Sequence, residues 1–327
     1  MGYTDSMEIK TKPHRSGFIT IIGRPNAGKS TLLNTILGQK IAIVTKKPQT
    51  TRNRIIGIKT LEAEKAQIVF MDTPGILKPH TKLDEAMMRE TEEAMREVDA
   101  LLLMVEPRMP GLRDEEIIRR IPHGKGKTKI KTVFLVVNKV DTVKKLKLLP
   151  VIDEYSKLFA FDQIIPISAL TGDGVDILLQ RLLDYLPEGP AYYPVDLVTD
   201  QIERFMVSEI IREKVMETTF EEVPHAVAVQ VIDWREGDQP QGDQPGAVHI
   251  TGRPRIHISA DIWVEREGQK GIIIGKSGRM LKTIGAAARL DIERLLNARV
   301  YLELRVRLKK DWRSDTRSIK ELGFPEK

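Results

Sequence analysis

The stretch GRPNAGKST, from Gly23 to Thr31, decides the fold of the first half of the chain. It matches the phosphate-loop pattern, in which a glycine and four spacer residues precede Gly-Lys-Ser. In such a loop, consecutive backbone N–H groups curl around phosphate oxygens, and the lysine reaches the β and γ oxygens. Lys29 is therefore a candidate for catalysis as well as for binding. The candidate phosphate-site residues are Gly23, Asn26, Ala27, Gly28, Lys29, Ser30 and Thr31.

Around this loop, short apolar runs alternate with helical patterns. The predicted buried strands are residues 17–23, 66–72, 100–106, 132–138 and 164–168. Near-continuous apolar strands that are separated by helices indicate a mostly parallel sheet with helices on both faces. The first half is therefore predicted to be an α/β P-loop domain.

Further polar motifs follow these strands, at the sheet edge where ligands bind in open α/β folds. In DTPG, Asp72 can hold the magnesium shell, and the N–H of Gly75 can reach a γ-phosphate. A carboxylate at Asp141 can accept hydrogen bonds from both N1–H and the exocyclic amine of guanine, which adenine cannot offer. The candidate base-site residues are Asn138, Lys139, Asp141, Ser168 and Ala169. In this order the motifs resemble those of GTPases, and they favour GTP over ATP.

The segment KKPQTTRNR lies between the phosphate loop and Asp72 and supplies two candidate threonines. Its TTR form resembles the translation-factor-related GTPases that handle RNA. By that resemblance Thr51 contacts magnesium and the γ-phosphate, and it is a catalytic candidate together with Gly75; Thr50 is the alternative. The predicted magnesium ligands are Ser30, Thr51 and Asp72. The nearby basic residues Lys46, Lys47, Arg52 and Arg54 either contact phosphate or RNA or belong to a mobile charged loop.

Ile76 occupies the position at which Ras-like enzymes place a water-orienting glutamine. Because an alkyl side chain cannot align water, we expect slow intrinsic hydrolysis until a partner, a backbone-held water or a monovalent cation completes the site. Asn26 resembles the asparagine that binds potassium in some relatives, which makes K⁺ a candidate cofactor. Stabilisation of the loop itself is the alternative role for Asn26.

The chain changes character after Leu186, where PEGPAYYPVDLVTD begins. The predicted organisation is an N-terminal extension over 1–16, a GTPase domain over 17–186, a linker over 187–200 and a second domain with a C-terminal tail over 201–327. The strands of the second domain alternate apolar and polar residues, which predicts an α+β fold with one buried sheet face. The 237–255 loop contains GDQPQGDQP and is predicted to be an exposed hairpin loop without chemistry of its own.

GKS occurs a second time within GIIIGKSGR, but this copy is not a phosphate loop, because Lys270 stands where that loop needs a glycine. The Gly275–Gly278 turn instead joins two predicted helices. In an α-β-β-α-α-β order it resembles the bacterial, type II KH domain. Two glycines there let the backbone approach phosphates, and an apolar groove receives unstacked bases. The candidate RNA-binding residues are Lys270, Ile274, Gly275, Lys276, Ser277, Gly278, Arg279 and Lys282.

Charge supports a polyanionic partner for the second domain. The chain carries a formal net charge of +6 and a pI near 9.2, and from Arg253 to Lys320 there are 17 basic residues against 8 acidic ones. The absence of cysteine excludes disulfides and thiolate metal sites and is compatible with a reducing compartment. With no long apolar run, we expect a cytoplasmic protein, with peripheral attachment to the inner face of the cell membrane as the alternative.

With SEIIREK in the second domain's first helix and VEREGQK before the GxxG turn, nearly the whole chain resembles the Era-like GTPases, a bacterial ribosome-assembly family. The resemblance implies a GTPase domain followed by a type II KH domain, GTP or GDP with Mg²⁺ as cofactors, and a monomer. It also implies binding near the 3′ end of small-subunit ribosomal RNA during maturation of the 30S subunit. Without the resemblance, the residues predict only a GTP switch that binds single-stranded RNA.

Two other function classes remain as alternatives. A membrane-linked signalling GTPase would use the basic C-terminal half on anionic lipid, which liposome flotation would detect. A metabolic P-loop kinase would transfer phosphate to an acceptor, which thin-layer detection of a phosphorylated product would reveal. The NKVD motif and the KH-like half argue against the kinase.

Overall fold

The computed structural model describes residues 13–45, 47–76, 78–96, 98–122, 132–237 and 255–324. Most of the predicted N-terminal extension, Lys46 and residues 238–254 of the predicted hairpin loop lie outside these described residues. Among the helices that the structure describes, none combines the length and the apolar character needed to cross a membrane.

The first half folds around a six-stranded sheet with the order β2-β3-β1-β4-β5-β6. Its elements are β1 Arg15–Gly23, α1 Lys29–Leu37, β2 Ile55–Leu61, β3 Ala66–Asp72, α2 Lys82–Ala94, β4 Ala100–Val105, α3 Leu112–Arg119, β5 Thr132–Val137, α4 Leu148–Leu158, β6 Gln163–Pro166 and α5 Val175–Tyr185. All pairs are parallel except the edge pair β2 and β3. The predicted mostly parallel sheet is confirmed.

Apolar cores cover both faces of this sheet. One core joins the strands to α1 and α5 through residues such as Leu32, Leu33 and Leu178. The other joins them to α2, α3 and α4 through residues such as Met88 and Ile117. The helix α3 was absent from the predicted elements because LRDEEIIR is short and mostly charged, and only its two isoleucines and Asp114 are buried.

The segment between the domains packs along the first sheet. The side chain of Gln67 on β3 donates to the carbonyl of Tyr193 at 2.9 Å and accepts from the backbone N–H groups of Tyr192 and Tyr193. The backbone N–H of Ile58 on β2 donates to Val198 O at 2.7 Å. The chain therefore crosses to the second domain along a fixed path.

The second half contains a three-stranded sheet with the order β7-β8-β9, in which β7 and β8 are antiparallel and β8 and β9 are parallel. Its elements are α6 Glu203–Thr218, α7 Val223–Ala226, β7 Ala228–Glu236, β8 Arg255–Val264, α8 Glu267–Ile274, α9 Arg279–Leu296, β9 Arg299–Leu308 and α10 Thr316–Glu321. The apolar side of this sheet shares one core with α6 and α9, in which α6 contacts β7 and α9 contacts β9. The predicted α+β domain of KH type is confirmed.

The expectation of a single buried sheet face was wrong at one end of the second sheet. Trp263, on the opposite face of β8 from the α9 core, is 3% exposed and lies edge-on to the buried Trp312, with ring centroids 6.3 Å apart. The C-terminal segment and α2 of the first domain cover this end, where Leu83 and Met87 join the same cluster. The strand pattern alone could not show this cover, because it comes from elements far away in the sequence.

Candidate functional site

A cleft of about 510 Å³ opens at the carboxyl edge of the first sheet. The predicted residues that line it are Asn26, Gly28, Lys29, Ser30, Thr31, Thr50, Thr51, Gly75, Asn138, Lys139, Asp141 and Ala169. Four other predicted residues, Gly23, Ala27, Asp72 and Ser168, are buried behind its wall. The structure therefore brings all the predicted nucleotide-site residues to one place.

The phosphate loop requires glycine where the backbone passes close to neighbouring groups. Gly28 adopts a φ of 102°, and a Cβ there would lie 2.1 Å from Nδ2 of Asn138. A Cβ at Gly75 would lie 2.7 Å from the backbone nitrogen of Pro25. The helix α1 begins immediately after Gly28, so its free N–H groups face the cleft and favour an anion.

Three oxygen-bearing side chains converge at the predicted magnesium position. Ser30 Oγ lies 2.6 Å from Asp72 Oδ2 and 2.8 Å from Thr51 Oγ1, and Thr51 Oγ1 lies 3.4 Å from the same carboxylate oxygen. The other carboxylate oxygen, Asp72 Oδ1, is buried without a hydrogen-bond partner among the described residues. Hydroxyl and carboxylate oxygens are the ligands that Mg²⁺ prefers, so the residues present fit this ion.

The two predicted threonines differ in what they contact. Thr50 Oγ1 donates to the carbonyl of Lys47 at 2.7 Å and lies 2.8 Å from Thr45 Oγ1. Thr51 is buried and faces Ser30 and Asp72. The geometry favours Thr51 over Thr50 as the residue that reaches a metal ion.

A buried charge pair stands at the floor of the cleft. Burial lowers the pKa of Lys29, and the nearby Asp72 carboxylate partly opposes that shift. Burial likewise raises the pKa of Asp72, which the charge of Lys29 and hydrogen bonds from Ser30 and Thr51 oppose. Phosphate groups beside Lys29 and a cation beside Asp72 would each supply a counter-charge that the protein itself provides only in part.

At the other end of the cleft, Asn138 ties together three segments that are distant in sequence. Its Nδ2 donates to Ala27 O of the phosphate loop at 2.8 Å, and its Oδ1 accepts from the N–H of Ala169 at 2.8 Å. The carboxylate-bearing Asp141 is exposed in the cleft two residues beyond Lys139. The phosphate and base ends of the site are therefore held in one frame.

An ion-pair chain beside Lys139 was not among the predicted features of the site. Glu106 accepts from the ammonium of Lys139 and from Arg108 Nε at 3.3 Å. Arg108 and the phosphate-loop residue Arg24 both pair with the buried Asp114 of α3, at 3.5 and 3.4 Å. A positional signal existed, because Glu106 directly follows β4 at the same sheet edge as the other site residues.

Glu106 is held in its charged form. Burial acts to raise the pKa of this carboxyl, but the hydrogen bonds and charges of Lys139 and then Arg108 outweigh it, and the pKa lies below its usual range. Glu106 also lines the cleft. It is therefore placed to position Lys139 against a bound base.

We expect Glu106→Gln to weaken binding of GDP about fivefold, because a partly exposed ion pair contributes up to about 1 kcal/mol. Titration with a fluorescent GDP derivative measures the change. Glu115→Gln is the matched control, since Glu115 pairs on the exposed face of α3 with Arg119. Equal affinities for the two variants would show that Glu106 does not position Lys139.

The second GKS forms a turn at the surface of the second domain. Gly275 has a φ of 70°, and a Cβ there would lie 2.6 Å from that of Met280; Gly278 has a φ of 74° with open space beside it. The exposed predicted residues of this region are Lys276, Ser277, Arg279 and Lys282, whereas Lys270 and Ile274 are half-buried.

A groove of about 510 Å³ runs from Gly278 between α9 and β9. Of the predicted RNA-binding residues, Gly278 and Lys282 line it, and the other six lie outside it around the turn. The lining residues that were not predicted are Leu281, Gly285, Ala286, Arg289, Tyr301, Leu302 and Leu304. Lys282, Gly285 and Arg289 recur at near-helical spacing on α9 after its N-cap residue Gly278, a signal that marks one face of the helix.

The segment bearing Thr51 is fastened to the second domain. The Arg212 guanidinium of α6 donates to the carbonyl of Thr50. The carboxylate of Glu213, the next residue of α6, accepts from the N–H of Val44 at 3.0 Å and pairs with Lys40. Both α6 side chains are almost completely buried.

Two basic residues of this segment point away from the cleft. Arg52 is 5% exposed and donates to Val227 O at 2.6 Å and His225 O at 3.0 Å. Burial, followed by repulsion from Arg212, lowers the pKa of Arg52 to about 9, so its guanidinium stays charged at neutral pH. Lys47 donates to the carbonyls of Met216 and Thr219. Neither alternative, contact with phosphate or RNA or a place in a mobile charged loop, describes Lys47 and Arg52 in this structure, because both side chains serve the contact between the domains.

Comparisons with known proteins cover both halves of the chain. A family model described as a 50S ribosome-binding GTPase matches residues 18–139, and a KH domain model matches residues 222–313. GTPase Era of Geobacter metallireducens is 51% identical over 317 residues, which make up 97% of this chain and 100% of that protein. GTPase Era of Ruminiclostridium cellulolyticum is 49% identical over 313 residues, or 95% and 98% of the two chains.

Two solved structures are similar over nearly the full length. One is Era in complex with MgGDPNP and nucleotides 1506–1542 of 16S ribosomal RNA, with a TM-score of 0.86, 38% identity, and coverage of 95% of this chain and 99% of that one. The other is an Aquifex aeolicus Era variant bound to GDP and AlF₄⁻, with a TM-score of 0.85 at the same identity and coverage. The similarity therefore extends across both domains.

Proposed function

The chain belongs to the Era family of GTPases, and on that premise we propose that it is a Mg²⁺-dependent GTP switch that binds the 3′ end of small-subunit ribosomal RNA during 30S assembly. It hydrolyses GTP to GDP and phosphate. The proposal of a switch rests on the contacts of Arg212 and Glu213 with the segment that bears Thr51, because these contacts join the nucleotide site to the RNA-binding domain. We place its action in the cytoplasm.

At the nucleotide site, the phosphate loop and Lys29 hold the phosphates, and the backbone N–H of Gly75 faces the γ-phosphate. Ser30, Thr51 and Asp72 would hold Mg²⁺, which neutralises charge on the phosphate oxygens when bound. Asn138, Lys139 and Asp141 recognise guanine, with Ser168 and Ala169 closing the base end. Asn26 is the proposed K⁺ ligand.

Ile76 supplies no group that orients water, and its side chain is 8% exposed in the core beside α2. Hydrolysis is accordingly slow until a bound partner or cation completes the site. Slow hydrolysis suits a switch that must stay in its GTP-bound state while it is bound to RNA.

At the second site, the Gly275–Gly278 turn brings backbone N–H groups close to RNA phosphates. The groove between α9 and β9 takes unstacked bases, while Lys282 and Arg289 balance phosphate charge. The other proposed contacts are Lys270, Ile274, Lys276, Ser277 and Arg279. The membrane alternative gains no support, because the basic stretch at Arg299–Leu308 is a sheet strand, whereas an amphipathic helix would be needed to lie on lipid.

The test is the affinity of the protein, loaded with a non-hydrolysable GTP analogue, for an oligonucleotide that copies the 3′ end of small-subunit ribosomal RNA. We expect tighter binding than to a shuffled oligonucleotide. Gly278→Asp should weaken native-order binding about thirtyfold, because it places a carboxylate against an RNA phosphate and removes a glycine whose φ is 74°.

Gly172→Asp is the control, since Gly172 has a similar positive φ of 85° with open space beside it in the first domain. It should leave RNA affinity unchanged. Equal, salt-labile binding of the native and shuffled oligonucleotides would contradict sequence recognition by this domain.

A further inference from the structure

The open end of the second sheet carries a stacked aromatic pair. His257 on β8 and Tyr301 on β9 are register partners, and their rings lie 4.9 Å apart at an interplanar angle of 17°. They stand on the sheet face opposite the α9 core, away from the end that Trp312 covers. Tyr301 is 66% exposed, so the pair presents a ring surface to solvent.

Two arginines stand beside this pair. Arg255 and Arg299 are register partners at the next position on the same face, and both are exposed. Like charges directly opposite each other on neighbouring strands destabilise a sheet. No carboxylate of the described residues pairs with either arginine, whereas Arg305 and Arg307 farther along β9 pair with Glu303 and Asp261. The two arginines therefore lack the local counter-charge that the same strand provides elsewhere.

This patch, which we call the sheet platform and define as Arg255, His257, Arg299 and Tyr301, is continuous with the proposed RNA groove. Tyr301 lines the groove between α9 and β9 and also forms the exposed half of the aromatic stack. Tyr301 thus lies where an RNA strand that leaves the groove would cross onto the open face of the sheet.

We propose that the sheet platform is a second RNA subsite, which takes the nucleotides that continue beyond the groove. A base stacks on the Tyr301–His257 pair, and the flanking phosphates pair with Arg255 and Arg299. The inference rests on the proposed RNA-binding function. Single-stranded RNA is the occupant that the chemistry favours, because it carries flat bases and a phosphate at every step.

The same patch is poorly suited to a lipid surface. Beyond the aromatic pair the face continues with Ser259, Glu303 and Asp261, so it offers no apolar area for acyl chains. Every base can stack on an aromatic ring, so we expect the contribution of this subsite to affinity to depend on the length of the RNA more than on its sequence.

The experiment compares two RNA lengths on the full-length protein. The short oligonucleotide fills the groove only, and the long ones extend it by about five nucleotides at the 5′ or the 3′ end. We expect one extension to raise the affinity of the wild type about tenfold, as a base stacked on an aromatic side chain does. Tyr301→Leu should remove that gain, and Tyr301→Phe should keep it, because phenylalanine preserves the ring.

Salt dependence tests the two arginines separately. Affinity falls with rising salt, and each phosphate contact on a single strand contributes about 0.7 to the steepness of log affinity against log salt. The double variant Arg255→Gln/Arg299→Gln should therefore make this dependence shallower by about 1.4 for the long RNA. The slope for the short RNA should stay as in the wild type. Arg294→Gln is the control, because Arg294 lies exposed on α9 and pairs with Asp291.

The outcomes separate this inference from the proposed function. If the wild type binds neither oligonucleotide better than a shuffled one, the proposed function fails. If it binds the short RNA specifically but gains nothing from either extension, or if Tyr301→Leu and the double arginine variant keep the whole gain, the sheet platform is not an RNA subsite. A photo-crosslink from 5-iodouridine in the extension to Tyr301 or His257 supports it, and circular dichroism checks that the variants fold.

Discussion

Asp141→Asn is expected to lower the affinity for GTP and GDP about a thousandfold and to create affinity for xanthine nucleotides. Guanine presents two donors on this edge, N1–H and the exocyclic amine, and a carboxylate supplies two acceptors. An amide has only one acceptor, and its NH₂ group would face the amine of guanine. A site built to bond a particular hydrogen-bond pattern rejects the mismatched ligand by large factors, because buried polar groups are left unpaired.

Xanthine carries a carbonyl oxygen where guanine carries the amine, so the amide of the variant can donate to it. Competition of GDP and XDP against a fluorescent nucleotide measures the exchange of specificity. Asp153→Asn is the matched control, because Asp153 pairs with Lys157 on the exposed face of α4. Retained GDP affinity, or a loss of GDP affinity without a gain for XDP, would show that Asp141 is not the base-reading residue.

The sequence could predict the nucleotide site because each motif is local and stands at a strand end. Asp72, Asn138 and Ser168 each follow an apolar run, and parallel strands bring their carboxyl ends to one edge. Once the order of these runs indicates a parallel sheet, the convergence of the motifs follows from topology. Glu106 could have been predicted in the same way, because it follows the strand Ala100–Val105.

The contacts between the domains could not be predicted in this way. Arg52 stands in a basic run that is typical of a solvated loop, yet its acceptors are the carbonyls of His225 and Val227, more than 170 residues away. No periodicity in the segment indicates that burial. Trp263 is similar, because its cover comes from Trp312 and from α2 of the other domain. The contacts that could not be predicted from the sequence form where the two domains pack against each other.

That docking makes a second large effect expected, in which Arg212→Met uncouples RNA binding from the nucleotide state. Coupling between two sites typically changes affinity by a factor of about 5 to 150. The ratio of RNA affinities in the GTP-analogue and GDP states should fall in the variant to within about twofold of one.

The physical reason lies in one carbonyl group. Arg212 donates to Thr50 O, and the next residue, Thr51, faces the proposed magnesium ligands Ser30 and Asp72. When a γ-phosphate and a metal ion bind Thr51, the position of Thr50 determines whether its carbonyl keeps or loses the hydrogen bond from Arg212. A ligand shifts an equilibrium only by the difference in its contacts with the two states, and methionine removes the contact that carries this difference.

Two comparisons guard against a merely unstable variant. Arg204→Met makes the same change on α6, at an exposed residue that lies over the ring of Trp234 and away from the nucleotide cleft. It should keep the wild-type ratio. Glu213→Gln is a milder, nearly isosteric second test, because it removes the charge that faces Lys40, and Glu217→Gln one turn along the helix is its control. Thermal unfolding of each variant shows whether the fold is intact.

Reciprocity makes the uncoupling testable from both sites. If GTP changes RNA affinity by some factor, RNA must change GTP affinity by the same factor. In the wild type, both measurements should therefore give one number, and in Arg212→Met both should approach one together. A variant that loses the effect of GTP on RNA while RNA still tightens GTP would violate this reciprocity, and would show that one of the two measurements was not made at equilibrium. A variant that keeps both effects would show that the coupling runs through other contacts, such as those of Arg52 with His225 and Val227.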